Sequence, residues 1–289
     1  MSERKVRFVD LFCGIGSFHY SFKKLGFECV MASDIYKPAV ENYKTNYGIE
    51  PQGDICKIDP ASIPEYEILC AGFPCQPFSQ AGHHKGFEDS RGTMFSQVMR
   101  FVKGNLPKIV VLENVQALLT HDNGQSFMKI KEELEGTGYT IKHKVLLCSD
   151  YGIPQMRKRL FIVGFRKESV SVRDLDDFFE LSAYNKRTTL KEYLGRNFKK
   201  EVAYTLRCGG KNSPIDDRHN WDGYIVDDKE YRLSIEDGLK LQGFEEYNLV
   251  GKTSEKWKMI GNTIPTIFTE IIGKQILKHT MNLGLESDV

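Results

Sequence analysis

At 289 residues the chain is long enough for one large domain or two unequal ones. Its 40% hydrophobic and 27% charged residues, with 25 Gly and 10 Pro, exclude collagen-like, low-complexity and wholly disordered classes. The net charge of +1 points to no particular partner, and no apolar run approaches the roughly 18 residues of a membrane span. The opening Met1-Ser2-Glu3-Arg4-Lys5-Val6 leads directly into a strand-like stretch, with neither a signal h-region nor an Arg/Ser-rich transit segment. Seven cysteines without a Cys-x-x-Cys pair argue against a disulfide framework or structural zinc. A reducing, cytoplasmic location and no metal are expected.

From Val6 to Phe165 short apolar runs alternate with helical stretches. The predicted strands are Val6–Phe12, Glu28–Ser33, Ile68–Phe73, Lys108–Glu113, Ile141–Cys148 and Leu160–Phe165. Between them the spacing predicts helices at Phe18–Leu25, Pro38–Tyr47, Met94–Lys103 and Ser126–Glu135. This is the pattern of an α/β fold with a doubly wound, mostly parallel sheet. After Arg166 the alternation fails. Turn signals gather at Cys208-Gly209-Gly210, Asn212-Ser213-Pro214 and Asp222-Gly223, before an apolar helix returns over Ile264–Leu283. The division this suggests is a large domain of residues 1–168 plus 262–289, with a smaller one at 169–261.

Charge is uneven. Ser182–Ile215 carries eight basic residues (Lys186, Arg187, Lys191, Arg196, Lys199, Lys200, Arg207, Lys211) against Glu192 and Glu201, or +6 in 34 positions. Such a stripe is compatible with a phosphate backbone or with a solvated helix face, and its surroundings must decide.

Four loops carry chemistry. The first strand ends in Asp10-Leu11-Phe12-Cys13-Gly14-Ile15-Gly16-Ser17-Phe18, where glycines allow a tight turn and close approach of a ligand. His19 stands where a dinucleotide fingerprint needs its third glycine, and the Gly-Lys-[Ser/Thr] ending of a phosphate loop is absent. Asp34, 18 residues after Gly16 at the end of the second strand, can accept ribose hydroxyls. The combination points to a nucleoside cofactor without a diphosphate. Next, Ala71-Gly72-Phe73-Pro74-Cys75-Gln76-Pro77-Phe78-Ser79 puts a cysteine between prolines at a strand end, followed by a polar, Gly-rich stretch from Ala81 to Gly92 with the composition of a lid. Cys75 is a candidate nucleophile. Glu113 of Leu112-Glu113-Asn114-Val115 ends another strand and is a candidate general acid. Finally, Arg157 and Arg159 of Gln155-Met156-Arg157-Lys158-Arg159 are two apart, on one face of an extended chain, and can clamp a planar oxygen acceptor.

The order of these pieces resembles the DNA cytosine C5-methyltransferases, in the bacterial and viral single-chain form. The matching stretches are Phe12–Gly16, Pro74–Gln76, Glu113–Val115, Gln155–Arg159, Leu241–Phe244 and Gly261-Asn262, spread over the whole chain in the family's order. The resemblance implies an S-adenosylmethionine-dependent methyltransferase fold with a small target-recognition domain. It implies that Cys75 adds to C6 of a cytosine flipped out of duplex DNA, that Glu113 protonates or hydrogen-bonds N3, and that Arg159 holds O2 with Arg157 in support. Phe12, Gly14, Gly16, Asp34, Ile35, Asp54, Ile55, Phe73 and Asn262 would hold S-adenosylmethionine and its product S-adenosylhomocysteine. DNA contacts are expected from Gln76, Ser79 and Arg91, and from the recognition loop at Thr205, Arg207, Gly209, Gly210 and Lys211. A restriction endonuclease acting separately and a monomeric enzyme are further expectations.

Two departures from the family pattern stand out. Many members place Trp where this chain has Ile35, which can pack on an adenine but not stack, and the recognition segment is short. A tRNA-methylating branch has similar motifs, but it usually carries Pro-Pro-Cys-Gln where this chain has Phe73-Pro74-Cys75-Gln76, and its Cys-Phe-Thr element is missing here. A non-catalytic DNA-binding relative would be expected to lose one of Cys75, Glu113 and Arg159.

Overall fold

Strands buried on both faces are largely apolar, and here such runs, with the more polar strand Tyr139–Leu147 at one edge, form one six-stranded sheet. The computed structural model describes residues 5–74, 94–168, 175–182, 185–209 and 211–279. Its strands are β1 (Arg7–Leu11), β2 (Glu28–Ser33), β3 (Ile68–Ala71), β4 (Ile109–Asn114), β5 (Tyr139–Leu147) and β6 (Lys158–Arg166), in the order β2-β1-β3-β4-β6-β5. The first four are parallel, joined through α1 (Ser17–Lys24), α2 (Lys37–Tyr47) and α3 (Met94–Asn105). β6 runs antiparallel to both β4 and β5. The β5–β6 connection, residues 148–157, holds one 3-10 turn (Cys148–Asp150) but no α-helix to carry the chain back for a parallel pairing. The sheet is therefore mostly parallel, as the alternation predicted.

Side chains alternate across the sheet and build two cores. Phe8, Ile68, Ile109, Val111, Phe161 and Val163 face α1 and the last helix, α8 (Thr266–His279). Val9, Leu69, Val110, Leu112, Leu160 and Ile162 face α3 and α4 (Gln125–Gly136). Each such side chain contributes about 1.5–3 kcal/mol on burial. The contact of α1 with α8 is close because Gly273 has no side chain. A Cβ there would lie 2.5 Å from Leu25 Cδ1, and Ser21 Oγ bonds Thr266 O at 2.9 Å. This packing brings the segment before α8 alongside the first loop.

The region after β6 contributes α5 (Leu190–Leu194), a hairpin of β7 (Gly223–Val226) and β8 (Lys229–Arg232), α6 (Ile235–Leu241) and α7 (Thr253–Asn262). A third cluster holds it together around Trp221 and Trp257, with ring centroids 5.1 Å apart, and takes in Ile15 and Ala39 from the first part of the chain. The turn signal at Asp222-Gly223 falls on a bend at Trp221 and Asp222 that leads into β7, and the hairpin has its own turn further on. The turn lies at Asp227 and Asp228 (φ 50° and 60°), both in the left-handed region that a two-residue hairpin requires. Gly223 is the first residue of β7, where a Cβ would sit 2.7 Å from Arg232 Nη1.

Candidate active site

The carboxyl ends of β1 to β4 gather the loops that the sequence singled out. Phe12, Gly14 and Gly16 all have positive φ (57°, 54° and 82°), which folds the first loop back on itself. Asp34 fixes that shape: Gly14 N–H donates to Oδ2 and Tyr36 N–H to Oδ1, each at 2.8 Å. Burial raises the Asp34 pKa, and the bonds from Tyr36 and Gly14 oppose the rise. Above Gly14 a Cβ would meet nothing within 4 Å, and the neighbouring Ile35 is 74% exposed, an unusual state for a large aliphatic residue. An open glycine turn, a carboxylate with spare lone pairs and an uncovered apolar side chain suit a nucleoside. Phe12 is half-buried against the α3 side of the sheet.

A parallel bridge between Ser33 and Gln52 brings Asp54 to the same edge. Its carboxylate accepts Cys56 N–H at 3.0 Å, which holds its pKa below the usual range and caps the turn Ile55–Lys57. The buried Ile55 offers its carbonyl to Arg100 at 2.6 Å. The Phe73 ring belongs to the core, with its centroid 5.8 Å from that of Phe95.

Glu113, the candidate general acid, is 7% exposed at the carboxyl end of the sheet. It ends β4 on the α8 side, and across the sheet Arg159 of β6 places Nε 2.7 Å from Glu113 Oε1. Burial pushes the Glu113 pKa up, while the charges of Arg159 and Arg157 pull against it. Gly72, just after β3, leaves room for this carboxyl: a Cβ there would sit 3.2 Å from Ile264 Cδ1 and 3.4 Å from Glu113 Oε2. Asn114 Nδ2 donates to Phe73 O at 3.0 Å, tying the β4 end to the loop that leads into Cys75.

Arg157 has a different task from its neighbour. It is 1% exposed, and its guanidinium donates to Leu206 O at 3.0 Å, Gly261 O at 3.0 Å and Thr263 O at 2.8 Å. Burial, with Arg159 close by, lowers its pKa to about 9, so it is still charged at neutral pH. Both Nη atoms are thus engaged by carbonyls, while Nε has no hydrogen-bond partner among the described residues. Gln155, fully buried, accepts Leu206 N–H at 3.1 Å and donates to Leu241 O at 2.7 Å. Thr205 Oγ1 donates to Met156 O at 2.6 Å.

The loop from Thr205 is pinned further along. Trp221 Nε1 donates to Gly209 O at 2.7 Å, and the Lys211 ammonium lies 4.9 Å over the Trp257 ring. Arg207 is exposed, and its side chain has no partner among the described residues. Part of the basic stripe is already engaged: Lys199 pairs with Asp228 at 2.8 Å, Arg196 with Asp237 at 2.7 Å, and Lys200 lies over Tyr204. Cys75, Gln76, Ser79, Arg91 and Gly210 lie outside the described residues. The sequence reading missed Gln155, Gly261, Thr263 and Trp221 as parts of the site. Gln155 and Gly261 stood inside the recognised motifs, whereas nothing local marked Trp221. Among the described residues no cluster of three or more His, Cys, Asp or Glu could hold a metal, and no helix is long and apolar enough to cross a membrane.

Comparison with known proteins decides what this geometry belongs to. The family model for C-5 cytosine-specific DNA methylases matches residues 6–209. The chain belongs to that family. It is accordingly a DNA cytosine methyltransferase, related to the enzymes of restriction–modification systems. The Type II methyltransferase M.HhaI of Haemophilus parahaemolyticus is 33% identical over 295 positions, covering 90% of each chain. M.NgoBI of Neisseria gonorrhoeae is 36% identical, covering 89% of this methyltransferase and 88% of that one. The fold is shared with a putative DNA modification methyltransferase from an E. coli prophage (TM-score 0.71, 18% identity, 95% of this chain and 99% of that one). It is shared too with the Dnmt2 methyltransferase of S. pombe (TM-score 0.67, 18% identity, 95% and 99%). As a member of the family, the enzyme uses S-adenosylmethionine and acts on DNA.

Proposed function

We propose that this methyltransferase modifies one cytosine within a short duplex sequence, taken out of the helix and attacked by Cys75. The observation that carries this reading is the buried Glu113–Arg159 pair, 2.7 Å apart at the end of β4. Cytosine C6 is a poor electrophile, so an attacking group needs help at N3 and O2. In the protonated state that burial favours, Glu113 donates to N3 as the Cys75 thiolate forms its Sγ–C6 bond. Arg159 holds O2. Electron density then moves to C5. S-adenosylmethionine, when bound, supplies a sulfonium methyl group for C5 and leaves as S-adenosylhomocysteine. A base next removes the C5 proton, the C5–C6 double bond reforms, the Sγ–C6 bond breaks to release the Cys75 thiolate, and N3 gives its proton back to Glu113.

Phe12, Gly14, Gly16, Asp34, Ile35 and Asn262 would hold the cofactor, with main-chain help near Asp54, Ile55 and Phe73. Residues 1–168 with 262–289 form the catalytic part and 169–261 the target-recognition part, and DNA contacts come from Thr205, Arg207, Gly209, Gly210 and Lys211 and from Gln76, Ser79 and Arg91. The enzyme works as a cytoplasmic monomer without a metal, and any cognate restriction endonuclease is a separate protein.

Bisulfite sequencing of DNA from cells expressing the chain tests target and base together, and protected cytosines in one short context are expected. Duplex DNA carrying 5-fluorocytosine in that context should trap the enzyme, because fluorine cannot leave as a proton does. Random protection, or an adduct formed equally by Cys75→Ser, would overturn the reading.

A further inference from the structure

We propose that Cys208 is a positioning residue that belongs to the recognition loop but acts on the cofactor edge, by holding the Asn262 side chain. The inference rests on the reading of Asn262 as a cofactor residue. The Cys208 thiol donates to Asn262 Oδ1 at 2.7 Å. Nδ2 of Asn262, whose side chain is exposed, has no partner among the described residues, so holding Oδ1 leaves two N–H donors for an acceptor oxygen of the cofactor.

The backbone around this contact admits little play. A Cβ on Gly261 would lie 2.5 Å from Arg207 C and 2.6 Å from Cys208 N, so the Arg207–Cys208 peptide rests directly on Gly261. One guanidinium, that of Arg157, grips the carbonyls on both sides of this contact, Leu206 O and Gly261 O. It also takes Thr263 O, and Thr263 Oγ1 lies 2.9 Å from Ser17 Oγ at the end of the first loop. Recognition loop, Asn262 and first loop are thus consecutive links of one chain of contacts. A ligand that fixes one end changes the affinity at the other, and the coupling is reciprocal.

Calorimetry with S-adenosylhomocysteine on wild type, Cys208→Ser and Cys208→Val separates positioning from packing, with thermal melts to check the fold. Serine keeps a donor, and its affinity should stay within about twofold. Valine has none, and one hydrogen bond to a neutral acceptor predicts a loss of roughly five- to tenfold. In the Cys208→Val background Asn262→Ala should cost little more, because the two side chains act through one contact, and unchanged melts separate this from unfolding. Binding of a random-sequence duplex should gain less from S-adenosylhomocysteine in Cys208→Val than in wild type. Wild-type affinity in Cys208→Val, equal losses in the serine and valine variants, or additive losses with Asn262→Ala would each overturn the proposal. A folded wild type that does not bind S-adenosylhomocysteine would instead sink the cofactor reading, and this inference with it.

Discussion

The Tyr47 hydroxyl donates to Gly16 O at 3.0 Å, and Gly16 lies so close to that ring that a Cβ would sit 2.4 Å from Cε2. The same hydroxyl reaches Ile15 O at 3.2 Å, and His19 stacks on the ring at 4.1 Å. The shape of the first loop is therefore set by a residue at the far end of α2, not by the glycines alone.

Gly16 and Gly14 should respond differently to alanine. Both have positive φ, which costs an alanine about 1–2 kcal/mol. At Gly16 the clash with Tyr47 and Tyr43 adds roughly 1–3 kcal/mol, whereas at Gly14 a Cβ meets nothing within 4 Å. Urea titration of Gly16→Ala should show the larger loss of stability. Equal losses would mean that Tyr47 does not shape the loop.

Asp10 should make the protein less stable as pH rises. It is 1% exposed beneath the first loop, and Oδ2 has no partner among the described residues. Burial, then the charge of Asp34, holds its pKa well above the usual range, against a backbone bond from His19. An unfolded Asp loses its proton near pH ~3.9. The native state keeps that proton to higher pH, so the native protein binds more protons and stability falls from about pH 4 up to the native pKa. Asp10→Asn should remove this slope and gain stability relative to wild type at pH 8. Parallel stability–pH curves for the two proteins would refute the assignment.

Glu113 carries the same sign into catalysis. If its protonated form assists at N3, the single-turnover rate falls as pH rises through its elevated pKa. Glu113→Gln cannot titrate and leaves Arg159 without its ion-pair partner, so the rate should drop roughly 10²–10⁴-fold and this limb of the pH profile should vanish. A limb that persists in the glutamine variant belongs to another group.

Much of the sheet was legible because strands buried on both faces are mainly apolar, with polar residues such as Asp10, Glu113 and Asn114 towards their carboxyl ends, and β1 to β4 needed no partner to be seen. What was hidden is what depends on distant contacts. The spacing put Arg157 and Arg159 on one face, but only Arg159 meets Glu113. That Arg157 spends its donors on Leu206, Gly261 and Thr263 is written 49 to 106 residues away. Asp222-Gly223 looked like a turn and does sit at a bend, but Gly223 opens β7, and the hairpin turn at Asp227-Asp228 carries no glycine to announce it. The stripe of positive charge was counted correctly, but sequence alone could not subtract the partners Asp228 and Asp237.

That subtraction sharpens the expectation for DNA. Lys186 and Lys191 are exposed, compact charges, assigned to phosphates, and replacing either with alanine should weaken all sequences alike and lower the salt slope by about one unit. Lys199, paired with Asp228, should contribute less. Arg207 differs in kind. Thr205 and Leu206 before it, and Cys208 and Gly209 after it, are all held by hydrogen bonds, while its own guanidinium is uncommitted among the described residues. A rigid backbone presenting one free arginine suits bidentate contact with a guanine edge in the major groove. Arg207→Ala should cost roughly 1–3 kcal/mol on the cognate site and relax discrimination at one base pair. Binding to a panel of single-base variants decides it, since a uniform loss across the panel would make Arg207 a backbone contact.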